Sequence, residues 1–314
     1  MKTKILISGL GGSLFPYLHT KMESLGYDLF YVDSNPILKH VYPDLNFYLA
    51  PLVSSPDYKE FIKELCRAYQ INYYLPLIDE ELILANEIGD EINHLTILCP
   101  QVDFVRLCLD KHELMKSLKT ANISTNLTYK GSEFNWQFDL PVFVKPNIGR
   151  GSRGIKKIDR KEQLEAFYIL EDYLPSEIIV QPFIKGSEYT VGVVTNSENK
   201  ILSISAKRAL QKKGITTSAV TEDNSIIEDL AVKINEFYKP RGPFNIQLFL
   251  TEDQQPVIFE INPRFSTTLV LSYEAGLHEI SLLIDNYDKE EVEVSKAIEG
   301  IYLYRQWNSL FYKP

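Results

Sequence analysis

Cysteine is scarce in this chain: only Cys66, Cys99 and Cys108 occur in 314 residues. Their wide spacing offers neither a zinc motif nor a disulfide framework, so reduced, buried thiols in a cytosolic protein are expected. No uninterrupted apolar run approaches ~18 residues, which argues against a transmembrane helix. Met1-Lys2-Thr3-Lys4 ahead of Ile5-Leu6-Ile7 begins like a secretion signal. Gly9, Gly11, Gly12 and Ser13 break it before an adequate apolar stretch forms. A cytoplasmic location without a membrane partner is therefore expected. Basic residues are the minority, 33 Lys and Arg against 42 Asp and Glu, a net charge of −9. Coating nucleic acid needs clustered cations, so no nucleic-acid partner is expected. The five histidines, His19, His40, His94, His112 and His278, lack metal-ligand spacing.

What is present is an ordinary globular composition, 45% hydrophobic and 24% charged. At ~150 residues per domain the length suggests about two domains. Strand and helix patterns alternate over the first hundred residues. Ile5–Ser8, Asp28–Val32, Tyr73–Leu77 and Thr96–Cys99 read as strands, and Phe15–Leu25, Tyr58–Tyr69 and Leu82–Ile88 as helices. That alternation predicts a doubly wound parallel sheet. Past Pro100, a helix over Asp103–Lys119 gives way to strands at Pro141–Lys145, Ile155–Ile158, Ile178–Val180, Tyr189–Thr195, Ile201–Ala206, Phe244–Leu250 and Val257–Ile261, with a helix at Lys161–Leu170. This half reads as α+β with mostly antiparallel pairing.

The segment Asn147-Ile148-Gly149-Arg150-Gly151-Ser152-Arg153-Gly154 contains G-x-G-x-x-G. A dinucleotide fingerprint would need a helix after it, but here a strand follows. A Walker loop would end in G-K-[ST], and a protein kinase would carry H-R-D and D-F-G; none of these occurs. A glycine-rich hairpin loop over nucleotide phosphates remains, with backbone N–H groups of Gly149, Gly151, Ser152 and Gly154 as donors. Lys145 ends an apolar strand just before it, where a cation either snorkels or faces an anion.

In Val257-Ile258-Phe259-Glu260-Ile261-Asn262-Pro263-Arg264, strand alternation puts Glu260 and Asn262 on one face. A carboxylate in an apolar strand is costly to bury unless paired or metal-bound. Hairpin pairing with Phe244–Leu250 would set Gln247 beside Glu260. Three oxygen donors then suit a hard cation such as Mg²⁺, with Mn²⁺ as an alternative. Arg264 would follow as a phosphate or carboxylate clamp.

Together these segments resemble the ATP-grasp superfamily, in particular the synthetase unit of the carbamoyl-phosphate synthetase large chain and short carboxylate–amine ligases related to it. The resemblance spans nearly the whole chain. It implies a pre-ATP-grasp Rossmann-like domain over 1–100, a small lobe with the phosphate lid over 101–180, and a C-terminal lobe with the metal site over 181–314. Asp110-Lys111 resembles the family's first nucleotide lysine and Val144-Lys145-Pro146 the second. Val180-Gln181-Pro182-Phe183-Ile184-Lys185-Gly186-Ser187-Glu188 resembles the hinge. Backbone groups near Phe183 and Ile184 would meet adenine, Glu188 would meet ribose, and Gln181 stands where many members have an acid. Gln247 matches carbamoyl-phosphate synthetase, where other ligases carry an acid.

The resemblance implies an ADP-forming ligase. A substrate carboxylate would attack the γ-phosphate of ATP, and an amine would displace phosphate from the acyl phosphate. Arg264 is expected at the acyl-phosphate oxygens. Lys207 and Arg208 are candidates for the transferring phosphate or the substrate carboxylate, and Gly214–Ala219 for a substrate loop. Small-molecule carboxylate and amine substrates are the expected partners, and 19 tyrosines would suit a homodimer. Two alternatives stand beside this reading. One is an NAD-dependent oxidoreductase using Ser8-Gly9-Leu10-Gly11-Gly12 and Asp33, although the third glycine of the fingerprint is missing. The other is a non-catalytic ATP-binding module.

Overall fold

The computed structural model describes residues 2–149, 154–306 and 309–312. Short apolar runs near the N-terminus form strands β1 (Lys4–Ser8), β2 (Asp28–Asp33), β3 (Asn46–Leu49), β4 (Tyr73–Leu75) and β5 (Thr96–Ile97). They pair in parallel in the order β3-β2-β1-β4-β5. Helices α1 (Tyr17–Ser24), α2 (Leu38–Val41), α3 (Tyr58–Tyr69) and α4 (Leu82–Glu91) connect them. Alternation along β1 assigns its side chains to two cores. Leu6 packs with Phe30, Ile62, Cys66 and Ile88, whereas Ile5 and Ile7 face Leu18 and Met22. The expected doubly wound sheet is present.

The helical stretch expected over 103–119 is two helices, α5 (Val102–Leu109) and α6 (Lys111–Thr120). Asp110 breaks it: its backbone is extended and its carboxylate caps α6, accepting from the Glu113 N–H at 3.0 Å. Lys111 thereby becomes the first residue of a helix, held beside the small lobe.

That lobe is a four-stranded antiparallel sheet of β6 (Tyr129–Lys130), β7 (Val142–Pro146), β8 (Lys156–Ile158) and β9 (Ile178–Pro182), ordered β6-β9-β7-β8. Helix α7 (Lys161–Leu170) covers one face, packing Leu164 and Phe167 on Val142, Val144, Ile178 and Val180. The third sheet contains β10 (Ser187–Thr195), β11 (Ile201–Lys213), β12 (Ile215–Glu222), β13 (Pro243–Leu250), β14 (Pro256–Asn262) and β15 (Tyr302–Tyr304). All its pairs are antiparallel, in the order β14-β13-β10-β11-β12-β15. Helix α8 (Ser225–Tyr238) joins α5 and α6 on its apolar face, where Val191, Ile246, Leu248, Ile258 and Ile261 are buried. Helices α9 (Leu269–Glu274) and α10 (Glu279–Asp285) bring Leu269, Tyr273 and Ile280 into the core that contains Ile5 and Ile7.

The stretch 214–219 differs from its expectation as a substrate loop. Gly214, at φ +75°, makes the turn, and Ile215 starts β12, paired along β11. Three threonines, an isoleucine and a valine in eight residues favour the strand. Among the described residues no helix is long and apolar enough to cross a membrane.

Candidate active site

A cavity of about 660 Å³ lies between the three sheets. One end is built from the small lobe and from β13 and β14. Lys111 and Lys145 enter it from separate elements, with relative exposures of 6% and 4%. The Lys111 ammonium donates to the Gly149 carbonyl at 2.7 Å and stands 4.0 Å from Glu260. Lys145 donates to the Phe259 carbonyl at 3.0 Å and lies over the Phe259 ring. Burial pulls its pKa down to about 8. The Glu260 carboxylate opposes that shift, while Lys111 and Lys212 add to it. Two buried lysines that act against each other's charge favour an anion at this end.

Gln247 and Glu260 are directly opposed in the ladder, as are Asn245 and Asn262. All four line the cavity. The Asn262 amide nitrogen donates to Asn245 Oδ1 at 3.4 Å, so its own Oδ1 is the atom offered to a cation. Among the described residues no three His, Cys, Asp or Glu gather as a metal site. One carboxylate and two amide oxygens fit Mg²⁺ bound with waters and phosphate oxygens, rather than a cage made wholly of protein ligands.

Phe143, Phe183, Ile184, Phe249 and Phe259 form an apolar slot beside these groups. Phe249 and Phe259 are 4.9 Å apart between centroids. Gln181 is 2% exposed and donates to Thr128 Oγ1 at 2.8 Å. Glu188 holds Lys212 at 2.5 Å at the rim.

The other end belongs to the N-terminal sheet and the segment after β14. Gly9, Gly12, Ser13, Leu14, Leu77, Ile78, Arg264, Ser266, Thr267 and Thr216 line it. Gly9 has φ +72°, a conformation glycine adopts without steric cost, and turns the chain after β1. Glu81 anchors the Leu77–Asp79 segment from within. Its buried carboxylate accepts from Ser8, from Tyr58 and Tyr74 at 2.5 and 2.8 Å, and from the Ile78 N–H at 3.0 Å. Asp79, next along, receives the Arg264 Nε–H, while Arg264 Nη1 donates to the Phe265 carbonyl. A cation facing the cavity is thus oriented by a carboxylate of the N-terminal domain.

The structure gathers Lys111, Lys145, Gly149, Gln181, Phe183, Ile184, Glu188, Gln247, Glu260, Asn262 and Arg264 around one cavity. Gly154 is packed against Tyr173 and Pro146. Gly151 and Ser152 lie outside the described residues. Lys207 and Arg208 do not line the cavity. Lys207 shares the face of Thr190 but is 1% exposed beneath α9 and α10, 3.6 Å from Glu279. A side chain at Gly192 would intrude on both ions. Arg208 pairs with Glu222 on the opposite face. The strand-end reading failed because β11 continues to Lys213, placing Lys212 at the cavity instead. Thr190, Asn245, Lys212, Phe249 and Phe259 also line the cavity and Asp79 orients Arg264, none of them singled out by the motifs. Strand parity from Gln247 indicates Asn245 and Phe249; nothing local indicates Asp79.

Two lysines and a carboxylate–amide strand pair thus share one cleft between three sheets. Residues 175–308 match the family described as ATP-grasp in the biosynthetic pathway with Ter operon, and residues 5–99 match the PylC-like N-terminal domain. The chain carries an ATP-grasp domain behind a PylC-like N-terminal domain. Over 200 residues it is 28% identical to the D-alanine–D-alanine ligase of Flavobacterium johnsoniae, covering 56% of this chain and 62% of that one. The arginine-specific carbamoyl phosphate synthase large chain of Bacillus subtilis is 26% identical over 164 residues, covering 49% and 15%. The chain thus spans less than two thirds of these relatives' length. The biotin carboxylase domain of Hydrogenobacter thermophilus 2-oxoglutarate carboxylase, solved as a dimer with MgADP and bicarbonate, superposes with a TM-score of 0.76 at 14% identity, covering 96% of this chain and 73% of that one. None of these matches supports the oxidoreductase alternative, and Asp33 itself accepts the Gly11 and Asn35 N–H groups.

Proposed function

We propose that the protein is an ADP-forming ligase that joins a small-molecule carboxylate to an amine through an acyl phosphate. The observation that carries this reading is the convergence of Lys111, Lys145, Gln247, Glu260 and Asn262 at one end of a cavity whose other end presents Arg264. The likeness to D-alanine–D-alanine ligase supports the reaction class.

Lys111 and Lys145 would hold the phosphates, helped by the N–H groups of the glycine loop, including Gly149, Gly151, Ser152 and Gly154. Phe183, Ile184 and the neighbouring phenylalanines would receive adenine, Gln181 would meet its polar edge, and Glu188 the ribose. Gln247, Glu260 and Asn262 would hold Mg²⁺, or Mn²⁺ in its place, which neutralises charge on the phosphates when bound. Arg264, aimed by Asp79, would neutralise the oxygens of the acyl phosphate. Carboxylate is a poor acylating group because oxide would have to leave; phosphate leaves readily. Positioning and charge neutralisation carry the reaction, and no protein nucleophile is required. A homodimer in the cytoplasm is the expected assembly, which sedimentation and fractionation would check.

The test is nucleotide release from Mg²⁺-ATP against pooled amino acids, hydroxy acids and amines, with ADP and AMP read separately. ADP and phosphate dependent on one acid pool is the expected result. AMP and pyrophosphate would mean adenylation and would overturn the acyl-phosphate route.

A further inference from the structure

Arg305 follows β15 and does not itself line the cavity, but it reaches three residues that do. Its backbone N–H donates to the Thr217 carbonyl at 2.8 Å, continuing the edge pairing of β15 with β12. Its side chain spends all three nitrogens on backbone carbonyls. Nε donates to Thr216 at 3.2 Å, Nη1 to Ser13 at 2.8 Å, and Nη2 to Thr267. Ser13, Thr216 and Thr267 all line the far end of the cavity, and they come from three different sheets or connections. No carboxylate pairs with Arg305 among the described residues, and burial lowers its pKa from the usual guanidinium range. Carbonyl dipoles satisfy its hydrogen bonds without cancelling its charge. Arg264 is already matched by Asp79. Asp33, the acid lining this end, has its oxygens engaged by backbone N–H groups.

We propose that Arg305 is a positioning residue for the substrate end: it ties the three walls into one rigid concavity, and its unmatched charge makes that concavity a site for the anionic carboxylate substrate. The charge half of this proposal rests on the ligase reading; the clamp half does not. A planar fork reaches three carbonyls at once, whereas a lysine supplies the same charge at a single point. Arg305→Lys therefore separates charge from geometry, and Arg305→Met removes both.

Two measurements on the full chain decide it. The first is amide exchange of the free protein together with MgATP affinity by calorimetry. Faster exchange in both variants, confined to peptides containing Ser13, Thr216 and Thr267, with nucleotide affinity held, is the expected result. Unchanged exchange, or exchange rising across the whole chain, would overturn the clamp. The second is acid-dependent ADP release using the pooled acids. The KM for the acid should rise and its kcat/KM fall ~100-fold in Arg305→Met, because small misplacements of substrate cost that much in rate. Arg305→Lys should recover part of it, and the KM for ATP should not move. Equal rises in both KM values would overturn the substrate-end assignment. An unmodified protein that binds MgATP but releases no ADP with any acid pool would overturn the ligase reading and the charge half, while amide exchange still decides the clamp.

Discussion

The two ends of the cavity are built on different principles. The end proposed for the nucleotide is made of side chains within 151 residues of one another, from Lys111 to Asn262 by way of Lys145 and Glu260. Its charges face inward and are mutually strained: Lys145 is buried near Lys111, with one carboxylate between the pair and neutrality. The end proposed for the substrate is assembled from residues far apart in sequence, Gly9, Ser13, Ile78, Thr216, Arg264 and Thr267 among them. Its charged groups are braced from behind, Arg264 by Asp79 and the walls by Arg305. One end stores an electrostatic demand that a ligand meets. The other stores a shape. Substitution at the first should therefore abolish binding or turnover outright, and substitution at the second should change which acid is taken and how well.

The largest effect should come from Lys145→Ala. Nucleotide turnover should fall ~1,000-fold, in the range seen when a preorganised stabilising donor is lost. The melting temperature should stay within a few degrees, since an unmatched buried cation is removed; turnover near the parent rate would end the phosphate role.

Lys207→Ala tests the boundary between the site and its support. It leaves Glu279 buried beside Ser272 without its ion partner. Breaking such a pair costs about 3 kcal/mol. Denaturant unfolding should show that loss while the KM for ATP holds; full stability with a raised KM would return Lys207 to the site.

Asp79→Ala should free Arg264 without touching the nucleotide end. We expect the KM for the acid to rise ~10-fold, on the scale of one misplaced positioning group, with ATP affinity unchanged. Steady-state kinetics against both substrates reads this directly, and parallel loss of ATP affinity would merge the two ends.

The mildest probe is pH. Below about 8 Lys145 is an ammonium and can receive phosphate; above that value the free protein must take up a proton to bind. ADP affinity measured without Mg²⁺ should therefore weaken up to about tenfold per pH unit above 8. Calorimetry in buffers of different ionisation heat should show proton uptake rising over the same window. A flat profile would mean that Lys145 keeps its proton without a ligand.

Much of this was legible in the sequence, for reasons that follow from how each part is built. The parallel sheet and the β13–β14 hairpin announce themselves through apolar runs and turn chemistry. Glu260, Asn262 and Lys145 stand out because charge or amide in an apolar strand demands an explanation. Asp110 splitting α5 from α6 is a capping effect that helical periodicity hides. β3, β6 and β15 are too short, and too exposed in part, to show a pattern. Asp79 and Arg305 act across 185 and 292 residues of chain, and nothing local marks them. Lys207 lies buried behind the cavity because β11 runs seven residues past Ala206, which the sequence does not signal.

One irregularity in β14 carries more than its size suggests. Register jumps between Gln247 and Leu248, so Phe259 is an extra residue with no partner in the ladder. Ile258 and Ile261 both lie in the core, three apart, an odd interval that plain alternation forbids. The bulge works as a change of parity. Phe259 and Glu260 are neighbours in sequence, yet both line the cavity. Deleting Phe259 would leave Gln247 opposite Glu260 and Asn245 opposite Asn262 in an unbroken ladder, with Ile258 and Ile261 still in the core, but it would remove the ring and the carbonyl that receive the Lys145 ammonium. The extra residue thus lets the strand carry a seat for Lys145 without moving Glu260 and Asn262 out of register with β13.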